Sequence, residues 1–228
     1  MTGGQAPLIV GFGGTTRSES TSDRALRLAL TAAECHGAAV EAFFGADLAF
    51  PMYQPHQPVD DPRALRFVSA LRRADGIIIA SPGYHGAISG LIKNAIDYVE
   101  LLREDSRPYF EGRAVGCIAC AAGWQAAAST LASLLSVVHA LRGWPTPLGA
   151  MLNSTTTSFA SDGQCSDAKA AAQVTCVARQ VLCFGEYVAD CRTRGVGNPS
   201  DNYQVRRTSL AGLEVSGSAS LVGEGIAR

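Results

Sequence analysis

The sequence lacks the marks of a nucleic-acid or membrane protein. Its 19 Lys and Arg are balanced by 20 Asp and Glu, for a net charge of -1. No basic run concentrates the cations, so neither a nucleic-acid groove nor a polybasic membrane contact is expected. No apolar stretch approaches the ~20 residues a bilayer-spanning helix needs. The opening residues lack a basic segment followed by a long apolar one, so no secretory signal is read there and a cytoplasmic location is expected. Two phosphate-binding signatures are also missing. There is no Gly-Lys-Ser/Thr, and G-x-G-x-x-G would need glycine at Thr16.

Cysteine is present, but in the odd number of seven among 228 residues. In a cytoplasmic chain such thiols are expected to be free and packed as small hydrophobes. Cys117-Ile118-Ala119-Cys120 matches C-x-x-C, yet it lies in an apolar run that reads as a buried strand. Its two thiols should then face opposite sides of a sheet. A redox pair would instead sit on a loop or a helix N-terminus. Cys176, Cys183 and Cys191 share one stripe of a predicted helix and are expected in the core or at a subunit interface.

What is present is a regular alternation. Hydrophobic residues make up 47% of the chain, enough for a sizeable core. Apolar runs at Leu8–Phe12, Ala39–Phe44, Asp75–Ala80, Arg113–Ala121 and, more weakly, Pro147–Leu152 read as strands. Helical spacing marks Thr21–Cys35, Asp61–Arg73, the segment from Ile88 to Leu102, Gln125–Arg142 and Ser166–Arg192. Near-continuous hydrophobic strands separated by helices predict a parallel sheet covered on both faces. The fold expected is α/β, a flavodoxin-like three-layer sandwich with a five-stranded parallel sheet in order 2-1-3-4-5. Ligands in that order bind at the carboxyl ends of strands 1 and 3. Residues 1–194 are expected to form this domain. Residues 195–228, rich in Gly, Ser and polar residues, are expected to be a flexible or subunit-contacting tail.

The loops after strands 1 and 3 are also the two most unusual. The first, Gly13 to Ser22, combines a glycine turn, clustered hydroxyls and Arg17 at the start of a helix. Main-chain N–H groups there favour an anion, and a guanidinium adds a charge-assisted bond. A phosphate monoester suits Thr15, Arg17, Ser20 and Ser22 better than a pyrophosphate does. A solvated loop with a helix cap is the plainer alternative. The second, Ser81-Pro82-Gly83-Tyr84-His85-Gly86, would let backbone approach a flat ring, with Tyr84 flanking it. Tyr84 read as core packing and His85 read as an uninvolved loop residue are the plainer alternatives. Lys93 and Asp97 form an i,i+4 pair, most simply structural. Phosphate after strand 1 and a planar ring after strand 3 together suggest flavin mononucleotide.

The stretch from Ser81 to Tyr98 resembles the signature of the NADPH-dependent FMN reductase family, Pro-Glu-Tyr-Asn-Gly-Ser-x-Pro-Gly-x-x-Lys-Asn-Ala-x-Asp-Trp. Pro82, Tyr84, Gly86, Gly90, Lys93, Asn94, Ala95 and Asp97 match it, with Tyr98 in place of Trp. Gly14, Thr15, Arg17 and Ser20 are similar to the family's first loop, with Ser22 where Asn is usual. Phe50-Pro51-Met52-Tyr53 resembles its segment after strand 2. Gly83, His85 and Ser89 depart from the usual Glu, Asn and Pro. The loop at Gly123 and Trp124 is similar to the third flavin-contacting segment only loosely.

The resemblance implies FMN as cofactor and NADPH or NADH as hydride donor. It also implies a flavin, quinone or similar small-molecule acceptor, a homodimer or homotetramer, and a possible monooxygenase partner. It names no side-chain acid or base. Two other functions stay open at this point. One is an FMN-dependent dehydrogenase that oxidises a biosynthetic intermediate, for example aromatising a cyclohexadiene carboxylate. The other is a flavodoxin-type electron carrier, against which the near-neutral charge argues.

Overall fold

The computed structural model describes residues 6–17 and 19–195. The expected tail lies outside these residues apart from Gly195. A parallel sheet is built from β1 (Leu8–Gly13), β2 (Ala39–Phe44), β3 (Gly76–Tyr84), β5 (Ala114–Ala121), and the short β6 (Trp144–Pro145) and β7 (Ala150–Asn153). The order is β2-β1-β3-β5, and both β6 and β7 pair with β5. The fifth position is thus shared by two short strands: β7 holds the second half of the expected run Pro147–Leu152, and β6 lies before that run. The interruption falls at Thr146–Gly149, where Pro147 has no N–H to give a ladder. The sheet counts seven strands because β4 (Ala87–Ile88) adds an antiparallel arm to β3. The parallel part keeps the order expected from sequence.

Helices α1 (Thr21–Cys35) and α5 (Ala168–Thr193) cover one face of the sheet, and α2 (Pro62–Arg73), α3 (Gly90–Asp97) and α4 (Trp124–Ala140) cover the other. Each face has its own core, and the alternation of β5 divides its thiols between them. Cys117 packs with Ile77, Ile79, Leu134 and Val138, and Cys120 packs with Ile78, Leu152, Val174 and Val177. Burial pushes both thiols up to about 12, far from a nucleophilic thiolate at neutral pH. The α5 cysteines do not share one environment: Cys176 is half-buried, Cys183 exposed and Cys191 buried. The stripe expected from spacing therefore runs along the helix's flank, where Val174, Val177, Val181 and Val188 take the inward positions.

The helix starts are chemically marked. Ser20 caps α1, Asp61 caps α2 with Pro62 next to it, and Ser89 caps α3. At the amino ends of the strands, the buried Arg113 guanidinium donates to the carbonyls of Ala74, Tyr109, Glu111 and Arg72. These bonds tie the end of α2 and the Tyr109–Glu111 turn to the start of β5. Among the described residues, no helix is long and apolar enough to cross a membrane.

Candidate flavin site

The loops after β1, β2, β3 and β5 gather at the carboxyl end of the sheet. The β1 loop begins where Gly13 and Gly14 cross Ala80. The Gly14 N–H donates to the Ala80 carbonyl at 3.1 Å, and a Cβ on Gly13 would lie 2.4 Å from the same oxygen. On its other side the loop rests against Gly45, whose Cβ would meet the Thr15 carbonyl at 2.7 Å. Bare backbone is therefore required at these crossings.

The predicted phosphate residues divide into an outer and an inner set. Arg17 is exposed at the loop's tip. The Thr15 hydroxyl is bound locally: it accepts from the Arg17 N–H at 3.0 Å and donates to the Arg17 carbonyl at 2.9 Å. Ser20 and Ser22 are buried, and their hydroxyls meet each other at 3.1 Å. Ser20 also donates to Asp23 Oδ1 at 3.0 Å and accepts from the Asp23 N–H. Asp23, only 3% exposed, is the residue that sequence reasoning missed. The main-chain N–H groups of Thr15 and Glu19 face its carboxylate and favour the charged form. Burial, opposed by these groups and by Arg27, pushes its carboxyl above the ordinary range. The available signal was an acid three residues after a Ser cap, a pattern that ties a side chain back to the helix start.

The β3 loop is a hairpin, not the open loop expected. β3 runs on through Ser81 and Pro82 to Tyr84, and Gly83 pairs with Ile88 and Tyr84 with Ala87. The two turn residues, His85 (φ 51°) and Gly86 (φ 84°), both have positive φ, as a tight type I′ turn demands. Tyr84 is 53% exposed at the hairpin's end. The base of the hairpin is locked by serines. Ser81 Oγ, fully buried, accepts from the Ser89 N–H at 3.1 Å, while Ser89 Oγ caps α3 at Ile92. A proline at 89, usual in the family signature, has no N–H to make the first of these bonds.

Gly83 lets α4 come close. A Cβ there would lie 2.5 Å from Thr130 Oγ1 and 3.1 Å from Ala121 Cβ. The glutamate usual at this position has no room while α4 keeps this packing. The close approach sets the start of α4, Gly123 and Trp124, beside the hairpin, with Trp124 56% exposed. Cβ atoms built on Gly86 and Gly123 meet nothing within 4 Å, so space lies open over both segments. The β2 loop forms a further edge. Asn94, buried in α3, accepts from the Tyr53 N–H at 2.8 Å and donates to the Pro51 carbonyl at 3.0 Å; the Tyr98 hydroxyl donates to that carbonyl too. These two signature residues thus hold Phe50–Tyr53 in place. A hollow of about 230 Å³ runs along Pro51, Met52, Val59 and Tyr98. Lys93 and Asp97 pair on the exposed face of α3.

The comparisons with known proteins agree with this geometry. The family model described as NADPH-dependent FMN reductase matches residues 7–157. The chain belongs to the NADPH-dependent FMN reductase family. Its similarity to an NADPH azoreductase of Bacillus sp. (strain OY1-2) is 31% identity over 85 residues, 37% of this chain and 44% of that enzyme. The match therefore spans less than half the length of that relative. Among solved structures, the flavoenzyme FerB, an NAD(P)H:(acceptor) oxidoreductase from Paracoccus denitrificans, superposes with TM-score 0.64 at 21% identity, covering 80% of this chain and 98% of that one. RosB, with bound 8-demethyl-8-formylriboflavin-5′-phosphate, reaches TM-score 0.64 at 14% identity over 98% of this chain and 94% of that one. At these identities the two structures support the fold.

The residues present suit the family's cofactor. An exposed guanidinium and a helix N-terminus stand at one end, and a backbone hairpin with free space above it and an exposed aromatic on either side stands at the other. Among the described residues, no group of three or more His, Cys, Asp or Glu could hold a metal ion.

Proposed function

We propose that this protein is an FMN-dependent oxidoreductase that takes hydride from NADPH or NADH and reduces a planar organic acceptor, such as a quinone, an azo compound or a second flavin. The observation that carries the proposal is the tight hairpin after β3, with open space at Gly86 and Gly123, standing in the same crevice as the α1 loop of a family that works with FMN.

Bound FMN supplies the ring that accepts and then donates the hydride. The chain's own residues bind and orient it. The Arg17 side chain and the Thr16 backbone, at the start of α1, would receive the phosphate. The backbone from Pro82 to Gly86 and at Gly123 would lie along the ring, its N–H groups aimed where negative charge collects on reduction. Tyr84 and Trp124 would border the open face that donor and acceptor use in turn. His85, exposed in the turn, would border the ring's edge. No proton-transfer residue is needed within the site, because the proton that completes reduction of a quinone can come from solvent.

The electron-carrier alternative is disfavoured by the net charge of -1, since such carriers are as a rule strongly acidic and dock by that charge. NADPH oxidation by the purified protein, followed with and without FMN and with a quinone or an azo dye, tests the proposal. Multiple turnovers that require both FMN and the acceptor are expected. A carrier would consume no more NADPH than it has flavin. The resemblance also implies a dimer or tetramer, which the same preparation should show as a light-scattering mass of two or four chains.

A further inference from the structure

We propose that Asp23 sets how firmly this protein holds FMN, by keeping a negative charge inside the loop that receives the phosphate. The inference rests on the phosphate reading of the α1 loop given above and extends it to the residue behind that loop.

The loop is wrapped around Asp23. Gly14, at φ 91°, passes so close that a Cβ would lie 1.5 Å from Asp23 Oδ1. Glu19, at φ 59°, turns the chain back at the other end. The Ser20 hydroxyl donates inward to the carboxylate, and the Thr15 and Glu19 N–H groups face it. Donors of this kind, at a helix start, are the ones a protein otherwise offers to a bound anion. Here an internal anion already stands on the inner side of the loop.

Two consequences follow. The loop keeps its shape without a ligand, since its turn is closed by the protein's own carboxylate. A phosphate arriving on the outer side then meets a like charge across a single layer of backbone. Asp23 is almost fully buried, so solvent and salt screen that repulsion only in part. The cations nearby are partly committed elsewhere. Arg24 is held by Glu19 and the Ala160 carbonyl. Arg27 faces Asp23 from α1 but lies over the Phe44 ring, 4.0 Å from its centre. Among the described residues of the loop, Arg17 is the exposed cation without a carboxylate partner. FMN is therefore held as an exchangeable ligand, with the ring hairpin contributing more of its affinity than the phosphate does.

Quenching of flavin fluorescence, measured near neutral pH with FMN and with riboflavin, tests this directly. Asp23→Asn keeps an acceptor oxygen for the loop N–H groups and removes the charge. FMN should bind roughly tenfold more tightly to it than to the unaltered protein, the size of one partly screened like-charge contact. Riboflavin, which has no phosphate, should bind equally to both. Unchanged or weaker FMN binding, with riboflavin unaffected, would overturn the proposal. If Asp23→Asn loses riboflavin binding and so its fold, Asp23→Ser takes its place in the same comparison with the same expectation. Arg17→Ala separates the two levels of the argument. If the protein does not prefer FMN over riboflavin, and Arg17→Ala changes nothing, the phosphate reading fails and this inference with it. If the preference exists and falls in Arg17→Ala, yet is unaltered when Asp23 loses its charge, only the role of Asp23 fails.

Discussion

Serines and cysteines in this chain are assigned their roles by the atoms around them. Ser20 and Ser22 have the side chains of a phosphate cradle, but both are buried: the Ser20 hydroxyl bonds Asp23 and the Ser22 hydroxyl meets that of Ser20. What the α1 start can offer an anion is main chain, Arg17 and the locally bound Thr15. Cys117 and Cys120 have the spacing of a redox pair, but β5 sends them into separate cores and burial raises both thiols to about 12. Alkylation of the folded protein at mildly alkaline pH should therefore label the exposed Cys35 and Cys183 first, with Cys117 and Cys120 labelled only after unfolding. Peptide mass spectrometry reads this. Labelling of Cys117 or Cys120 at the rate of Cys35 would contradict the packing. The fate of these two thiols was legible in the sequence, because the alternation of a strand needs no tertiary information. The role of Asp23 was not. It depends on Thr15 and Glu19 amides being folded onto it by two residues of positive φ, and helical spacing says nothing of that.

At the scale of single elements, strand and helix starts were legible wherever a cap or an apolar run marks them, as at Ser20, Asp61 and Leu8. The hairpin after β3 was not, because Pro82 and Gly83 read as breakers. In the structure they continue the strand: Pro82 lies opposite Cys120 and Gly83 opposite Ile88. His85-Gly86 then supplies the two positive-φ residues of the turn. The departures from the family signature acquire reasons at this scale. Ser89 supplies an N–H that proline lacks, and Gly83 admits α4 against the hairpin. Gly83→Ala should therefore destabilise the fold. Its Cβ would lie 2.5 Å from Thr130 Oγ1, which is itself bonded to the Ala126 carbonyl at 2.8 Å. An overpacked methyl of this kind costs about 1–3 kcal/mol. Thermal unfolding of the two proteins checks it. An unchanged or raised Tm in Gly83→Ala would show that α4 stands farther off than described.

At the scale of the molecule, the order of the parallel strands was legible from alternation and hydrophobic runs alone. The two-part fifth position was not, because β6 at Trp144–Pro145 precedes the apolar run and Pro147 keeps the chain out of the ladder until Ala150. The topology places the β1 and β3 loops side by side at the point where chain connections leave β1 and β3 in opposite directions, the position where open α/β sheets bind ligands. Membership of the NADPH-dependent FMN reductase family says which ligand that is. The account's central claim is that this crevice holds FMN and passes electrons from a reduced nicotinamide through it. The most direct test is a visible spectrum of the FMN-loaded protein, taken under anaerobic conditions while NADPH is added. The account predicts flavin bands that bleach with one NADPH per bound FMN and return when a quinone is admitted. Bound flavin that keeps its colour in the presence of NADPH and of NADH would contradict it.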